Sequence, residues 1–506
     1  MKSLGLRNFR KFDELAPIEL GGVTFLVGEN NSGKSTFTKA AILLGNFLSL
    51  IGGNISQIKD PHNPSKKEFS FKSNEFRHVY IDSFYQALCN IAPDGVISFE
   101  TTIEDVTITV NVVEPSAFMV ERASSKAQTI EEFSRCYPEI REANPAYFKK
   151  ELEKESAVVS SIIIDVKRTG VTLTLDYENS RITTRLYDID LRKEHDTLIE
   201  DFNNGNFSEK SPDDILSRVD YLRQNFIVKE FTAPFSMHLS STDLFEDFCA
   251  TKDVEDLKWI VPSLNRVNQI LDNFKVDYIY AHSVHQLSSY SYDSTGKNDY
   301  IDQTVSMFYN QEQLYKNSLI EIKKSPSALV REWMNILDIR EDFLIAGETS
   351  LKLKSNKKLY VKMLDGYDEY DLSTKGIGFI QLFILLLRLA TIVTSQKQIK
   401  TVVIEEPEQN LHPALQSKLA DLFYKIYCDT GCQIIVETHS EYIVRKSQVI
   451  VSELGSDKEN PFRVYYFPKR EAPYELRYGS NGAFQNSFGK GFFDEAVRLH
   501  MHILNK

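Results

Sequence analysis

A phosphate-binding loop, residues 28–36, constrains the fold of this chain more than any other feature. It fits the pattern G-x-x-x-x-G-K-[ST], in which the glycines let successive backbone N–H groups turn towards a polyphosphate. A buried strand is predicted over 22–27 and a helix over 36–50, so the helix N-terminus would face the anion. The alternative is that the pattern is a chance match in a loop rich in Gly and Ser, but this does not account for the strand and the helix predicted on either side of it. The expected nucleotide-binding residues are Gly28, Glu29, Asn30, Asn31, Ser32, Gly33, Lys34, Ser35 and Thr36.

Two side chains of this loop have distinct expected roles. Lys34 supplies a positive charge to the β- and γ-phosphates, and the Ser35 hydroxyl is an expected ligand of Mg²⁺. The loop therefore predicts a nucleoside triphosphate site that includes a magnesium ion.

Composition limits the classes of function. The chain has 506 residues, enough for two or three substructures, and its 42% hydrophobic and 26% charged residues are typical of a folded protein. A net charge of −12 gives no global positive field for nucleic acid, and a local basic groove is still compatible with it.

The sequence also predicts a cytoplasmic protein with no membrane segment. No apolar stretch follows the basic N-terminal residues, as it would in a signal peptide. The longest apolar run, 379–390, contains Gln381 and Arg388 and is too short to span a bilayer. The five cysteines lack paired CxxC spacing, so ordinary reduced thiols are expected.

A second candidate site follows an apolar strand predicted within 402–408 (VVIEEPE). A buried strand that ends in carboxylates provides negative charge for a nucleotide-bound Mg²⁺ and its attacking water. Glu405 is expected to hold the metal, directly or through water, and Glu406 to polarise the water. An ordinary strand end with exposed acids is the alternative.

A third strand is predicted within 433–441 (QIIVETHSE), and it places His439 at the strand end. Open α/β sheets bind ligands at the carboxyl ends of their strands. A neutral imidazole there would hydrogen-bond the γ-phosphate or the water. A structural histidine is the alternative, and it is weaker when three strand ends coincide.

The order of these motifs resembles that of a known family. An Asn-Phe-Arg opening at 8–10, an early phosphate loop, a long insertion, IEEPEQNLHP at 404–413 and ETHSE at 437–441 resemble the ABC-like ATPases related to RecF, SMC and the overcoming-lysogenization-defect proteins. The resemblance implies ATP and Mg²⁺ as ligands. It also implies an α/β fold of the ABC-type ATPase head, a mixed sheet with an antiparallel β subdomain, carrying a large helical insertion.

The sequence predicts three segments, and local patterns indicate their secondary structure. Alternating apolar and polar residues over 96–113 and 161–187 predict antiparallel hairpins, whereas 208–275 is heavily charged and is predicted to be mainly helical, as is 115–157. The predicted segments are an N-terminal ATPase lobe (1–200), a mainly helical insertion (201–340) and a C-terminal ATPase lobe (341–506).

The resemblance implies a further role for 372–381 (LSTKGIGFIQ), which precedes an apolar helix. Such ATPases carry there the signature that contacts ATP bound to the opposite subunit. Ser373, Lys375 and Gly376 are the candidate contacts, although Thr374 and Lys375 depart from the Leu-Ser-Gly-Gly-Gln of transporters. A plain helix N-cap is the competing interpretation.

A nucleotide-dependent homodimer or larger assembly is then implied, with 408–412 near its seam. Residues 278–286 resemble a region where relatives carry Tyr-x-x-Ala-x-Arg; the Arg is missing, and Gln286 receives only a place near the metal or water. The tail 491–495 is expected to serve packing.

The resemblance favours an ATPase subunit that controls a separate effector, a nuclease or toxin, as in bacterial anti-phage systems such as Septu, PARIS and some retrons. DNA and a phage-derived trigger are further candidate partners, the sequence does not identify the trigger, and no membrane partner is expected. The alternative is a RecF- or SMC-like repair ATPase that binds DNA through lysines such as Lys66, Lys67, Lys323 and Lys324. A transporter motor is the least favoured, because it needs a membrane partner.

Replacing Lys34 by Ala is expected to abolish ATP binding, because the replacement removes the charge that faces the β- and γ-phosphates. Equilibrium binding of a fluorescent ATP analogue measures this directly. Unchanged affinity in a folded Lys34→Ala protein would contradict the phosphate-loop assignment.

Overall fold

The chain is described from a computed structural model. The described residues are 1–54, 68–71, 81, 84–90, 94–114, 156–176, 179, 181–203, 215, 217–219, 221–222, 227–234, 254–280, 292–293, 300–317, 324–349, 357–454, 458–489 and 494–504.

Strands and helices alternate along much of the described chain. The strands are β1 Ser3–Phe9, β2 Phe12–Glu19, β3 Val23–Gly28, β4 Glu68–Ser70, β5 Ile97–Ile103, β6 Val106–Val113, β7 Ser156–Val166, β8 Val171–Asp176, β9 Arg181–Tyr187, β10 Ile227–Pro234, β11 Phe274–Tyr280, β12 Tyr292–Asp293, β13 Asp342–Thr349, β14 Lys357–Asp365, β15 Asp368–Asp371, β16 Ile399–Glu405, β17 Gln433–Glu437, β18 Phe462–Phe467 and β19 Tyr474–Glu475. The helices are α1 Lys34–Asn54, α2 Phe84–Ala87, α3 Ile189–Asn203, α4 Val254–Asn273, α5 Tyr300–Asn317, α6 Pro326–Ile336, α7 Ile377–Val393, α8 Pro413–Thr430, α9 Glu441–Glu453 and α10 Glu495–Leu504.

The chain divides into two compact units. The first unit comprises residues 1–19 and 43–274, and the second comprises 20–42 and 275–506. Strand β3 and the start of α1 belong to the second unit because β3 pairs with the late strands β17 and β18.

The first unit contains a nine-stranded sheet in the order β10-β9-β8-β7-β6-β5-β1-β2, with β4 paired to β7. Every pairing in it is antiparallel. Strands β5 and β6 alternate buried and partly exposed residues, which is typical of a sheet with one covered face. The hairpins predicted over 96–113 and 161–187 are confirmed.

The second unit contains a six-stranded sheet in the order β11-β16-β17-β3-β18-β19. Strands β16, β17, β3 and β18 are parallel, and β19 is antiparallel to β18, so the sheet is mixed. All six residues of β3 are buried, as expected for a parallel strand covered on both faces. The mixed sheet and the separate antiparallel sheet confirm the predicted α/β fold class.

Helix boundaries near the sheet follow from local chemistry. Helix α8 has His412 as N-cap and Pro413 in its first turn, and it ends at Gly431, whose φ of 67° suits a left-handed C-cap. Helix α9 is capped by Ser440, whose hydroxyl accepts from the N–H of Ile443. These caps fix where both helices begin after strands β16 and β17.

A single apolar cluster supports the six-stranded sheet. Its members come from the strands and from the flanking helices α5, α6, α7, α8 and α9. Helix α7, at the centre, is buried along almost its whole length. The strand ends that face solvent are therefore held by a continuous core.

The segment 201–340, predicted to be mainly helical, also contains two strands. Residues 227–234 form strand β10, which pairs antiparallel with β9, and residues 274–280 form β11 at the edge of the six-stranded sheet. Both segments contain β-branched and aromatic residues that suit a strand. The division at 1–200, 201–340 and 341–506 stays a prediction of functional segments, and 115–155 lies outside the described residues.

None of the helices in the described part of the chain is long and apolar enough to cross a membrane.

Replacing Phe423 by Ala is expected to lower the free energy of unfolding of the second unit by about 3–5 kcal/mol, because this side chain is fully buried. Urea unfolding followed by circular dichroism measures the change. Leu314→Ala is the control: this leucine is 64% exposed, and its loss is expected to cost about 0.5 kcal/mol or less. Equal unfolding midpoints for the two variants would contradict the prediction.

Candidate active site

The phosphate loop has a backbone shape that only glycine suits at two positions. Gly28 has a φ of 140°, and a Cβ there would lie 2.2 Å from the carbonyl oxygen of Phe467. Gly33 has a φ of 109°. These conformations turn the loop between β3 and α1 in the way the pattern requires.

The Lys34 ammonium lies within this loop. Its Nζ donates to the carbonyl oxygens of Gly28, at 3.0 Å, and Glu29, at 2.8 Å, and the residue is only 3% exposed. Lys34 is therefore held by the loop that a polyphosphate would occupy.

Lys34 belongs to the second unit, as do all the other residues of the candidate site.

Two carboxylates meet at the carboxyl edge of the sheet. Strands β16 and β17 pair in register, so Glu405 lies beside Glu437. Helix α1 presents two hydroxyls to them: Ser35 Oγ donates to Glu437 Oε1 at 2.8 Å, and Thr38 Oγ1 lies 3.3 Å from Glu405 Oε1 and 3.4 Å from Glu437 Oε2. The predicted metal residues Ser35 and Glu405 are thus brought to one place.

The surroundings of these carboxylates disfavour their charged forms. Burial raises the pKa of Glu405, although hydrogen bonds from Tyr278 and Thr38 act in the opposite direction. Burial, and then the charge of Glu405, raise the pKa of Glu437 to about 7. Two acids in a poorly hydrated place are a pair that a cation would stabilise.

Glu406 has a different setting from Glu405. Its φ of 45° is uncommon for a residue with a side chain, and its N–H donates to the carbonyl oxygen of Glu437 at 2.8 Å. This turn directs its carboxylate towards His439, with Oε1 3.7 Å from the imidazole Nε2. Gln409 Nε2 donates to the other oxygen, Oε2. The two predicted catalytic residues are neighbours.

The surroundings of His439 favour the neutral form of its imidazole. Burial, and then the positive charge of Lys34, lower its pKa, although Glu406 acts in the opposite direction. Its backbone N–H donates to Glu408 Oε1 at 2.7 Å. Burial also raises the pKa of Glu408, whose other oxygen, Oε2, has no hydrogen-bond partner among the described residues. A neutral ring can donate or accept one hydrogen bond at Nε2.

The signature turn, residues 371–378, is tied to its own chain. Ser373 Oγ donates to Asp371 Oδ1 at 2.7 Å, and Lys375 Nζ pairs with Glu341 Oε1 at 2.8 Å. Gly376 is the N-cap of α7 with no side-chain cap. Among the described residues, none of these three candidates bonds to the phosphate loop of its own chain.

The signature turn also meets the segment after β16. A Cβ on Gly378 would lie 2.2 Å from the carbonyl oxygen of Asn410, whose own φ is 59°. The Asn410 amide Nδ2 donates to Gln381 Oε1 at 2.9 Å. The start of α7 is thereby packed against the 406–412 segment.

Sequence reasoning missed three residues of this site. Glu437 and Tyr278 contact the group around Glu405, and Gln409 contacts Glu406. A signal existed for Glu437, since both β16 and β17 end in glutamate, and for Tyr278, which begins the segment 278–286 that resembles the Tyr-x-x-Ala-x-Arg region of relatives. Gln286 and residues 491–493 lie outside the described residues, so the expectations for them stay predictions.

Replacing Gly378 by Ala is expected to destabilise the second unit by about 1–3 kcal/mol, because the new methyl group overlaps the Asn410 backbone. Thermal unfolding measures the effect. Gly376→Ala is the matched comparison for stability: nothing lies within 4 Å of its Cβ position, and a cost of about 1 kcal/mol or less is expected. A larger loss in Gly376→Ala would contradict the packing argument.

Comparison with solved structures gives loose likenesses to SMC head domains. The head with an extended coiled coil from Pyrococcus furiosus, bound to the C-terminal domain of ScpA, is 11% identical, with a TM-score of 0.36 and 99% of each chain covered. The SMC head domain from Thermotoga maritima is 12% identical, with a TM-score of 0.34, covering 94% of this chain and 98% of that one.

Comparison of the sequence with protein-family models identifies the family of the chain. No curated protein matches the chain. The family model described as the AAA ATPase domain matches residues 1–444 of the 506. That match includes the phosphate loop, Glu405, Glu406 and His439, and this chain is a member of the AAA ATPase domain family.

Proposed function

We propose that the protein hydrolyses ATP, with Glu406 as the general base and His439 as the residue that contacts the γ-phosphate or the attacking water. The observation that carries this proposal is the convergence of three strand ends on one edge of the sheet. Gly28, Glu405 and Glu437 each end a parallel strand there. In-line attack on a bound phosphate needs such a base and such a hydrogen-bonding group beside the loop.

The chemistry of the residues fits Mg²⁺. The hydroxyl of Ser35 and the carboxylate of Glu405 are hard oxygen donors, and Mg²⁺ commonly takes one or two such protein ligands together with phosphate oxygens and water. When bound, Mg²⁺ would neutralise charge on the β- and γ-phosphates.

ATP is proposed to be held between two copies of the chain. The support comes from the signature turn, which leaves the N-terminus of α7 without a side-chain cap. Ile377, the first residue of that helix, is half exposed although it is apolar. Free N–H groups at a helix start suit a phosphate. Ser373 and Gly376 are the contacts proposed for the partner's nucleotide, and Lys375 would have to release Glu341 to join them.

The assembled ATPase is proposed to control a separate effector, a nuclease or toxin, in anti-phage defence, in the cytoplasm. Support comes from the motif order, which resembles the ATPase subunits of such systems, and from the charge of the chain. The net charge is −12, and Lys324, one of the lysines that a DNA-binding protein would use, is paired with Glu332. The net charge weighs against the alternative, a DNA-binding repair ATPase, because it gives no global positive field for nucleic acid.

Replacing Glu406 by Gln is expected to leave ATP binding intact and to slow hydrolysis by about 10²–10⁴-fold, because the amide cannot accept the proton of the water. ATP with Mg²⁺ should then trap the dimer, which light scattering detects as a doubled mass. Lys34→Ala is the control that should stay a monomer under the same conditions. Normal hydrolysis by the Glu406→Gln protein would overturn the general-base assignment.

The trapped protein also separates the two proposed roles. Affinity purification of the trapped form, with its neighbouring gene product co-expressed, is expected to retain that product. DNA binding is expected to be weak at about 0.15 M salt, where nonspecific contacts are largely lost. Tight DNA binding at that salt concentration, with no retained neighbour, would favour the repair alternative and refute the effector role.

A further inference from the structure

Glu437 holds a central position that the proposed mechanism leaves unused. It is the last residue of β17, in register with Glu405 on one side and with Leu26 of β3 on the other. It is only 5% exposed, and its carboxylate receives the Ser35 hydroxyl at 2.8 Å. Glu437, and not Glu405, is therefore the carboxylate in direct contact with the expected magnesium ligand on α1.

A buried carboxylate normally has a positively charged partner. Among the described residues, no Lys or Arg forms an ion pair with Glu437; the positive charge of Lys34 favours its ionised form, but the Lys34 Nζ donates to two loop carbonyls. The hydrogen bonds that Glu437 does receive come from neutral hydroxyls, those of Ser35 and Thr38. Lys34 therefore compensates only part of the negative charge that Glu437 and the neighbouring Glu405 carry.

The same hydroxyls identify the kind of cation that would compensate it. Ser35 and Thr38 lie three residues apart on α1, so they project from one face of the helix towards both carboxylates. Four side chains thus offer only oxygen atoms, which suits a hard divalent cation. The geometry places this oxygen group directly after the phosphate loop.

We propose that Glu437 is a second carboxylate of the cation site, which orients the Ser35 hydroxyl and shares with Glu405 the charge of a bound Mg²⁺. The inference rests on the proposed ATP site. It assigns to Glu437 a positioning and charge role, distinct from the role of Glu406 towards water. The competing explanation is purely structural: Glu437 would only fasten α1 to the sheet through its hydrogen bonds.

Replacing Glu437 by Gln separates these explanations, because the amide oxygen can still accept from Ser35 while the charge is lost. The probe is a non-hydrolysable ATP analogue. Its binding is measured over a range of Mg²⁺ concentrations and, separately, in EDTA without Mg²⁺. The Mg²⁺ concentration for half-maximal analogue binding is expected to rise about 10- to 100-fold, with binding in EDTA unchanged. The thermal unfolding temperature without Mg²⁺ is expected not to fall, because the substitution removes a buried negative charge beside Glu405.

Glu441→Gln is the matched control. It removes the same charge four residues later, at a partly exposed position paired with Arg445, and should leave the Mg²⁺ requirement unchanged. An unchanged Mg²⁺ requirement in Glu437→Gln, or an equal loss of binding with Mg²⁺ and in EDTA, would overturn the inference. Should that variant fail to fold, Glu437→Asp serves instead: it withdraws the carboxylate from Ser35, and its Mg²⁺ requirement must also rise. Absence of analogue binding in the unmodified protein would refute the proposed function itself.

Discussion

The register of three parallel strands is the constraint on which the rest of this site depends. Strands β16, β17 and β3 are buried on both faces, and their pairing aligns Glu405 with Glu437 and Glu437 with Leu26. A slip of one residue would carry the carboxylates to opposite faces of the sheet, because side chains alternate along a strand. The apolar residues before each glutamate therefore set the distance between the functional groups that follow them.

This arrangement concentrates unfavourable features at one edge of the sheet. The buried carboxylate of Glu437 lies beside the partly buried one of Glu405, and the residue after Glu405 adopts a positive φ. Such features persist only when surrounding structure over-determines them. Here the surrounding structure is the apolar cluster, which includes Ile404, Val436 and the buried helix α7. We infer that the core holds the site in a form that a cation and a polyphosphate would relieve.

The sequence predicts the local parts of this site well and the long-range parts poorly. The strand, loop and helix at 22–50 were predictable because the pattern of glycines and apolar residues is continuous. The contact between Tyr278 and Glu405 was not predictable from local patterns, because β11 joins the sheet at its edge, far along the chain from the phosphate loop. The contact of Gln409 with Glu406 was not predictable either, because it depends on the unusual φ of that glutamate. Tertiary pairing decides these contacts, and no local pattern encodes it.

The 406–412 segment connects the parts of the site that the family resemblance treats separately. Within seven residues, Glu406 faces His439, Glu408 binds the backbone N–H of His439, and Asn410 contacts the start of α7. Asn410 and Gly378 are packed with no room for a Cβ between them, so α7 and this segment are in direct contact. If a second copy contacts the signature turn as proposed, it contacts a structure that is joined to His439 through Asn410 and Glu408. The carboxylates of Glu405 and Glu437 depend instead on the register of the sheet, so the two halves of the site are supported by different parts of the fold.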